Sequence, residues 1–179
     1  MHVVKALDAG DVILSKPFKI AEDETASALH DRLAEAGPES LLEALELLAS
    51  GADERVPQDE SLMTYAPKLE REHGRIDWSQ SAEQLERTIR AYHTWPGTFT
   101  TFQDGKGKEK RLKVYPPVTV IAQQGQPGQL LPITEDGPSE GIRVACGDCA
   151  LVLHEVQAEG SRRMSAGDFL NGFSVENFG

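Results

Sequence analysis

Cysteine and long apolar segments are scarce in this 179-residue sequence, and both absences exclude classes of protein. Only two cysteines occur, Cys146 and Cys149, which is too few for a disulfide framework and is typical of a reducing compartment. No apolar run approaches the roughly 20 residues that a membrane-spanning helix needs. The first residues also lack a basic segment followed by an apolar core. We therefore expect a cytoplasmic protein that does not contact the membrane.

Positive charge is scarce as well, since the net charge is -11. Phosphate binding needs clustered lysine and arginine, so this value alone argues against a nucleic-acid partner. The acidity is uneven, however: residues 1–60 carry 5 basic and 14 acidic side chains, a net charge of -9, which leaves only -2 for residues 61–179. The second part contains a basic stretch with a single acidic residue, made of Lys106, Lys108, Lys110, Arg111 and Lys113.

The first third of the chain is predicted to contain strands followed by helices. Val3-Val4 and Val12–Leu14 read as two strands that flank a structured loop at Leu7–Asp11, and Lys16–Ile20 as an edge strand, because Pro17 lacks an N–H. Apolar residues at helical spacing then predict a first helix that ends at Gly37-Pro38 and a second that ends at Gly51. The apolar residues of the two helices are Leu29, Leu33 and Ala36, then Leu41, Leu45 and Leu48.

Residues 52–75 are polar and charged with two prolines, the composition of a linker. Ser81 with Gln84 then predicts a capping box, and the helix that follows has an apolar stripe that includes Leu85 and Ile89. Short β-like runs at regular spacing follow and favour a small barrel, and a helical turn over 165–170 closes the chain. These runs are Thr98–Phe102, Leu112–Tyr115, Val118–Ile121, Gln129–Ile133, Ile142–Ala145 and Ala150–Val156.

Four motifs occur in order along nearly the whole chain. They are Leu7-Asp8-Ala9-Gly10-Asp11, Thr64-Tyr65-Ala66-Pro67-Lys68-Leu69 running into Arg75-Ile76-Asp77-Trp78, Arg90-Ala91-Tyr92-His93-Thr94-Trp95-Pro96-Gly97, and Met164-Ser165-Ala166-Gly167-Asp168-Phe169-Leu170-Asn171-Gly172. Each alone is weak evidence. As an ordered set they resemble the methionyl-tRNA formyltransferase family.

The resemblance implies a fold of class α/β plus β. Residues 1–51 correspond to the end of a Rossmann-like formyltransferase domain, residues 52–75 to a linker, and residues 76–179 to a small barrel domain of the oligonucleotide-binding (OB) type. It implies transfer of a formyl group from 10-formyltetrahydrofolate, without a metal, to the amino group of initiator methionyl-tRNA in translation initiation.

The resemblance also assigns site residues. Asp8 matches the catalytic aspartate, and Leu7, Asp8 and Gly10 lie on the donor side. The resemblance implies that the family's catalytic Asn and His lie upstream of Met1, so we expect the isolated chain to be inactive. On the tRNA side we expect Lys68, Arg87, Arg90 and the basic stretch, read as a barrel loop, in a monomeric protein. The residues of that stretch are Lys106, Lys108, Lys110, Arg111 and Lys113.

Alternatives remain at several positions. The acceptor could be a sugar amine or another small amine, and the chain could instead be a non-catalytic RNA-binding or scaffolding piece. Asp8 could merely order a turn. Arg87 and Arg90 could pair with the glutamates four residues earlier rather than with RNA. Asp77-Trp78 could anchor the linker or touch RNA, and Cys146-Gly147-Asp148-Cys149 is more typical of a hairpin turn than of half a zinc site.

Overall fold

A computed structural model describes residues 1–133, 140–175 and 177–179 of the chain. The chain divides into two compact units, Met1–Lys68 and Leu69–Gly179. The division falls inside the segment predicted to be a linker. Residues 134–139, which follow the predicted strand Gln129–Ile133, lie outside the described residues.

The first unit is built on one long helix, α1, Ala26–Ser50. The helix begins at Thr25, whose hydroxyl accepts the N–H of Ala28 at 3.3 Å, and ends at Gly51, which has a left-handed φ of 69°. The prediction of two helices broken at Gly37-Pro38 was wrong. Pro38 removes only its own N–H, and Gly37 does not adopt the left-handed conformation that would end the helix there.

The strands predicted in the first unit are not formed. Val3 and Val4 are exposed, and within the described residues neither pairs with a neighbouring strand. The segment around Pro17 is likewise irregular. An isolated antiparallel bridge joins Val12 to Val56, with N···O distances of 2.9 and 3.2 Å. Strand-like composition is insufficient here because a strand needs a partner for its backbone groups. A short 3-10 helix, Glu60–Leu62, completes this unit.

The second unit begins with a 3-10 helix, Arg71–Gly74, and a helix, α2, Ala82–Tyr92. The Ser81 half of the predicted capping box is formed, because the Ser81 hydroxyl accepts the N–H of Gln84 at 3.3 Å. Asp148 adds a second acceptor from a distant turn, and its Oδ1 lies 2.8 Å from the N–H of Ala82. Leu85 and Ile89 are buried, so the predicted apolar stripe is confirmed.

In the described part of the chain, the strands and the final helix of the second unit are β1 Thr98–Gln103, β2 Glu109–Ile121, β3 Leu130–Leu131, β4 Ile142–Ala145, β5 Ala150–Ala158, β6 Met164–Ser165 and α3 Ala166–Gly172. These six strands form one antiparallel sheet in the order β1-β2-β5-β4-β3, with β6 paired to β5. This small antiparallel β domain agrees with the β-like runs read from the sequence.

Strand β2 corrects one detail of that reading, because the two runs predicted on either side of Pro116-Pro117 form one strand. The register of β2 against β5 shifts between Tyr115 and Val118, where the prolines have no N–H to donate. The prolines therefore make an irregularity within the strand instead of ending it.

The last residues of the chain form backbone hydrogen bonds with β1 and with the residues just before β3, and β1 and β3 are the two edge strands of the sheet. Gly179 and Thr101 exchange two hydrogen bonds of 3.0 and 3.1 Å, and Phe178 donates to the carbonyl of Gly128 at 2.8 Å. Asn177 forms a bridge to Gln129, next to β3. One short segment thus joins the two ends of the sheet.

Trp78 lies beneath this junction and is 4% exposed. Its indole stacks on Phe178 with ring centroids 6.2 Å apart and donates a 3.0 Å hydrogen bond to Thr100 Oγ1. Thr100 in turn donates to the carbonyl of Gly179 at 3.1 Å. Trp78 therefore packs within the second unit and leaves little surface for contact with RNA. Within the described residues, no helix is both long and apolar enough to cross a membrane.

Substituting Gly128 tests this junction. Gly128 has a φ of 83°, and a Cβ atom there would stand 2.3 Å from the carbonyl oxygen of Phe178. We expect Gly128→Ala to lower the free energy of unfolding of the second unit by roughly 2–3 kcal/mol. Both tryptophans lie in this unit, so denaturant unfolding followed by tryptophan fluorescence measures it.

The matched control is Gly105→Ala, because Gly105 has open space around it and no left-handed φ. We expect that substitution to change stability by less than about 0.5 kcal/mol. Equal stability losses in the two variants would contradict the proposed importance of the Gly128–Phe178 contact.

Candidate functional site

The Leu7–Asp11 loop has an unusual backbone conformation at its centre. Asp8 has a φ of 54°, which makes it the only non-glycine residue with a positive φ among those that the structure describes. Aspartate tolerates this left-handed conformation better than most residues. Its carboxylate is exposed, as is the side chain of Leu7, whereas Gly10 is buried. A Cβ atom on Gly10 would collide with the carbonyl of His2, so glycine is required there.

Gln58 holds this loop from 50 residues away in sequence. Its side-chain Nε2 donates two hydrogen bonds of 2.8 Å, one to the carbonyl of Asp8 and one to that of Gly10. The two bonds lie on either side of the turn and fix its backbone. The carboxylate of Asp8 therefore projects from a turn whose conformation is set by Gln58.

A charged contact lies beside the same loop. Asp53 Oδ2 lies 3.3 Å from His2 Nε2 and 3.5 Å from Arg55 Nε. The His2 contact has the distance of an ion pair but not the alignment of a hydrogen bond. The backbone N–H of His2 also donates to the carbonyl of Asp11 at 2.9 Å. Residues 53–58 thus support the loop by both backbone and side-chain contacts.

The basic stretch is a hairpin and not the loop that was predicted. Only residues 104–108 form a turn, and Lys110, Arg111 and Lys113 belong to β2. Asp104 organises the turn, because its Oδ1 accepts the N–H groups of Lys106 and Lys108 at 2.9 and 3.0 Å. These backbone hydrogen bonds, from Lys108 and then Lys106, hold the pKa of Asp104 below its usual range.

Alternation along β2 separates the basic side chains. Lys110 Nζ lies 3.4 Å from Asp104 Oδ2 and is already paired. Arg111 and Lys113 are exposed and alternate with the buried Leu112 and Val114, so they share the solvent face. The basic side chains exposed to solvent are therefore Lys106 and Lys108 at the turn and Arg111 and Lys113 on the strand.

Arg111 and Lys113 line a groove of about 560 Å³ together with Arg71 and Trp95, which sequence reasoning did not select. The guanidinium of Arg111 lies 4.5 Å from the ring centroid of Phe99 and its Nη2 lies 3.1 Å from Glu72 Oε1. Arg71 lies in a 3-10 helix and Trp95 follows α2, so no repeating pattern relates them to the strand. Trp95 lies in one of the four motifs, and its large aromatic side chain was the available signal.

The other predicted RNA-facing residues lie apart from the hairpin in sequence. Arg87 Nη2 lies 3.1 Å from Glu83 Oε2, and Arg90 pairs with Glu86, so the predicted helix ion pairs are present. Lys68 is exposed at the end of the first unit.

Cys146 and Cys149 lie in the turn between β4 and β5, as the hairpin reading predicts. The N–H of Cys146 donates to the carbonyl of Cys149 at 2.8 Å. Burial raises the pKa of the Cys146 thiol to about 12, so this group stays protonated near neutral pH. In the described part of the chain, no three histidine, cysteine, aspartate or glutamate side chains are grouped to hold a metal ion.

Comparison with known proteins places the second unit in a family. Residues 68–174 match the family described as formyl transferase, C-terminal domain. The chain therefore belongs to the formyltransferase family.

Two relatives match almost the entire chain, and both are named methionyl-tRNA formyltransferase. The chain is 40% identical over 173 residues to the protein of Akkermansia muciniphila, which corresponds to 96% of this chain and 54% of that protein. It is also 40% identical over 176 residues to the protein of Geobacter sulfurreducens, 98% of this chain and 52% of that one. The chain thus spans about half the length of the relatives it matches.

Solved structures of HypX from Aquifex aeolicus have a similar fold. A variant matches with a TM-score of 0.60 and 26% identity, over 96% of this chain and 30% of that chain. HypX in complex with tetrahydrofolic acid matches with a TM-score of 0.59 and 25% identity, over 95% of this chain and 29% of that chain.

The contribution of Gln58 can be measured by amide hydrogen exchange. We expect Gln58→Ala to remove both hydrogen bonds to the loop, each worth about 1 kcal/mol, and so to speed exchange of the His2 and Val12 amides about tenfold or more. Gln124→Ala, at an exposed position outside this unit, is the control. Unchanged exchange of both amides in the Gln58 variant would mean that Gln58 does not fix the loop.

The hairpin turn should weaken in acid. Because the pKa of Asp104 is lowered in the folded state, its charge stabilises the fold above the ordinary Asp value of about 3.9. That stabilisation is lost as pH falls through the lowered pKa. We expect the stability difference between the native chain and Asp104→Ala to be constant near neutral pH and to shrink below about pH 4. Denaturant unfolding at several pH values measures it, and a difference independent of pH would be contrary to this assignment.

Proposed function

We propose that the chain supplies the aspartate loop and the tRNA-side domain of a methionyl-tRNA formyltransferase. The reaction transfers a formyl group from 10-formyltetrahydrofolate to the amino group of initiator methionyl-tRNA, with the protein acting as a monomer. In this proposal residues 1–51 are the end of a Rossmann-like domain, residues 52–75 a linker, and residues 76–179 a barrel of the OB type. No metal takes part.

The observation that carries the proposal is the aspartate loop, seen together with relatives such as those of Akkermansia muciniphila and Geobacter sulfurreducens, which match nearly the whole chain. Asp8 is an exposed carboxylate on a turn that two hydrogen bonds from Gln58 hold in place. The HypX complex with tetrahydrofolic acid supports a folate as the formyl donor.

The proposed chemistry is acyl transfer. The amine nitrogen attacks the formyl carbon, a new C–N bond forms, and the carbonyl oxygen becomes an oxyanion that needs hydrogen-bond donors. Collapse of this intermediate breaks the bond to the folate nitrogen, and the amine proton passes to the leaving folate. The family resemblance assigns oxyanion stabilisation to an Asn and a His that would lie upstream of Met1. Asp8 would favour the charged imidazole and move protons through a water molecule, and Leu7 and Gly10 would shape the donor side.

The RNA-side proposal rests on the second unit. Lys106 and Lys108 are exposed at the tip of a hairpin whose turn Asp104 fixes, and Lys113 is exposed on the strand that follows. Cations held on a rigid turn can approach phosphates with little loss of conformational freedom. Lys110, Arg111, Arg87 and Arg90 are already paired with acidic side chains, so we assign them a smaller part in RNA binding. Lys68 completes the proposed set.

Formyl transfer tests the role of Asp8. The first half of the Akkermansia muciniphila relative, placed ahead of Met1, would restore the positions that this chain does not cover. We expect the chimera to formylate methionyl-tRNA and Asp8→Asn to lower its turnover about a hundredfold or more, because a proton-transfer group is lost. The 179-residue chain alone should show no transfer.

Asp23→Asn is the control, since Asp23 is an exposed carboxylate outside the loop. Undiminished turnover in the Asp8 variant would reduce Asp8 to a turn residue. An active chimera that formylates a small amine but not methionyl-tRNA would contradict the proposed acceptor.

Binding of tRNA tests the hairpin. We expect Lys106→Ala with Lys108→Ala to weaken tRNA binding and to reduce the slope of log affinity against log salt concentration by about two, one for each lost phosphate contact. The control is Lys19→Ala with Arg162→Ala, which removes the same charge elsewhere in the chain. If both double variants change the slope equally, the effect is that of net charge and not of the hairpin.

A further inference from the structure

The groove beside β2 has an aromatic surface as well as positive charge, and a site for phosphate alone would not need the aromatic surface. It is lined by three cations, Arg71, Arg111 and Lys113, and by one acid, Glu159. Its wall also includes Trp95, which is 53% exposed, and the ring of Phe99. The groove therefore offers both positive charge and an aromatic surface within about 560 Å³.

Trp95 is unusual among the aromatic residues of this unit. Trp78, the other tryptophan, is 4% exposed and packs in the core, whereas Trp95 exposes about half of its surface. An exposed tryptophan in a concave site is a recognition feature more often than a packing residue.

The cations of the groove are partly held in position. Arg111 is fixed between the Phe99 ring and Glu72, at 4.5 and 3.1 Å. Glu159 accepts the backbone N–H of Arg111 at 3.4 Å. Arg71 and Lys113 are exposed, and no ion pair of either is found in the described part of the chain. In a chain of net charge -11, this concentration of positive charge favours an anionic ligand.

We propose that this groove binds one unpaired RNA nucleotide, with its base stacked on Trp95 and its phosphate held by Arg71 and Lys113. The inference rests on the proposed function, which supplies RNA as the partner. A base within a duplex has both faces covered by its neighbours and cannot reach an indole ring, so the ligand must be single-stranded. Stacking on an aromatic side chain beside cations is the common way in which proteins hold such a nucleotide, and it is tolerant of base identity.

Fluorescence of the two tryptophans provides a direct test on the whole chain. Trp78 is buried and serves as an internal reference, while emission from Trp95 should be quenched when a base stacks on it. The probes are a short single-stranded oligoadenylate, a duplex of the same length, AMP and the tRNA. We expect quenching by the single strand and not by the duplex.

Affinity measurements on variants complete the test. Stacking contributes about 1–3 kcal/mol per base, so Trp95→Ala should weaken binding of the oligoadenylate about tenfold or more, and Trp95→Phe, which keeps an aromatic face, should weaken it less. Lys113→Ala should lower the salt dependence by about one phosphate contact. Tyr65→Ala, which removes an aromatic side chain that is exposed in the first unit, should change nothing. Retained Trp78 emission in Trp95→Ala would show that the variant is folded.

Each of the following outcomes would overturn the proposal. Equal oligoadenylate affinity of the native chain and the folded Trp95→Ala variant would show that no base stacks on Trp95. Equal affinity for duplex and single strand would show that the groove binds phosphates only. If AMP binds as tightly as the oligonucleotide, the groove is a site for free nucleotides. If tRNA binds through the hairpin lysines while Trp95→Ala has no effect, only this inference fails. If neither tRNA nor the oligonucleotide binds, the proposed function fails with it.

Discussion

The buried indole of Trp78 is the contact on which the second unit depends. Its ring covers Phe178, its N–H is satisfied by Thr100, and Thr100 passes a hydrogen bond on to Gly179. A tryptophan can be buried at little cost only where its N–H finds an acceptor. One side chain therefore ties a strand, the segment before α2 and the last residues of the chain together. Without it, the backbone pairing of the last residues with Thr101 in β1 and with Gly128 beside β3 would lose its support.

The pairing of strands in the sheet also fixes the surface on which the groove and the hairpin lie. Because β2 is held on both sides, by β1 and β5, the side chains that alternate along it have fixed directions. The groove and the hairpin are thus built on a rigid support. The first unit differs, since α1 has no buried residue and the aspartate loop is held by a few polar contacts. The first unit is therefore held together by hydrogen bonds more than by burial of apolar side chains.

Local signals predicted the elements of the second unit better than those of the first, whose predicted strands are not formed. The Ser81 cap, the apolar stripe with Leu85 and Ile89, and most strands follow from periodicity and turn residues over a few positions. The helix break predicted at Gly37-Pro38 was wrong, because a proline removes one hydrogen bond from a helix without always ending it. Gln58 could not be linked to Asp8, because nothing in composition pairs residues 50 apart. For the same reason Arg71 and Trp95 were not predicted to face β2: such neighbours are created by the fold alone.

The alternation of β2 has an evolutionary consequence. Arg111 and Lys113 point to solvent while Leu112 and Val114 point to the core, so inserting or deleting a single residue at this point would exchange the two faces. Cations would then be forced inside and leucine outside. The turn at 104–108 carries no such restriction, because added residues there would only lengthen the hairpin. Variation in length among related sequences should therefore collect at this tip, leaving the number of residues in the strand unchanged.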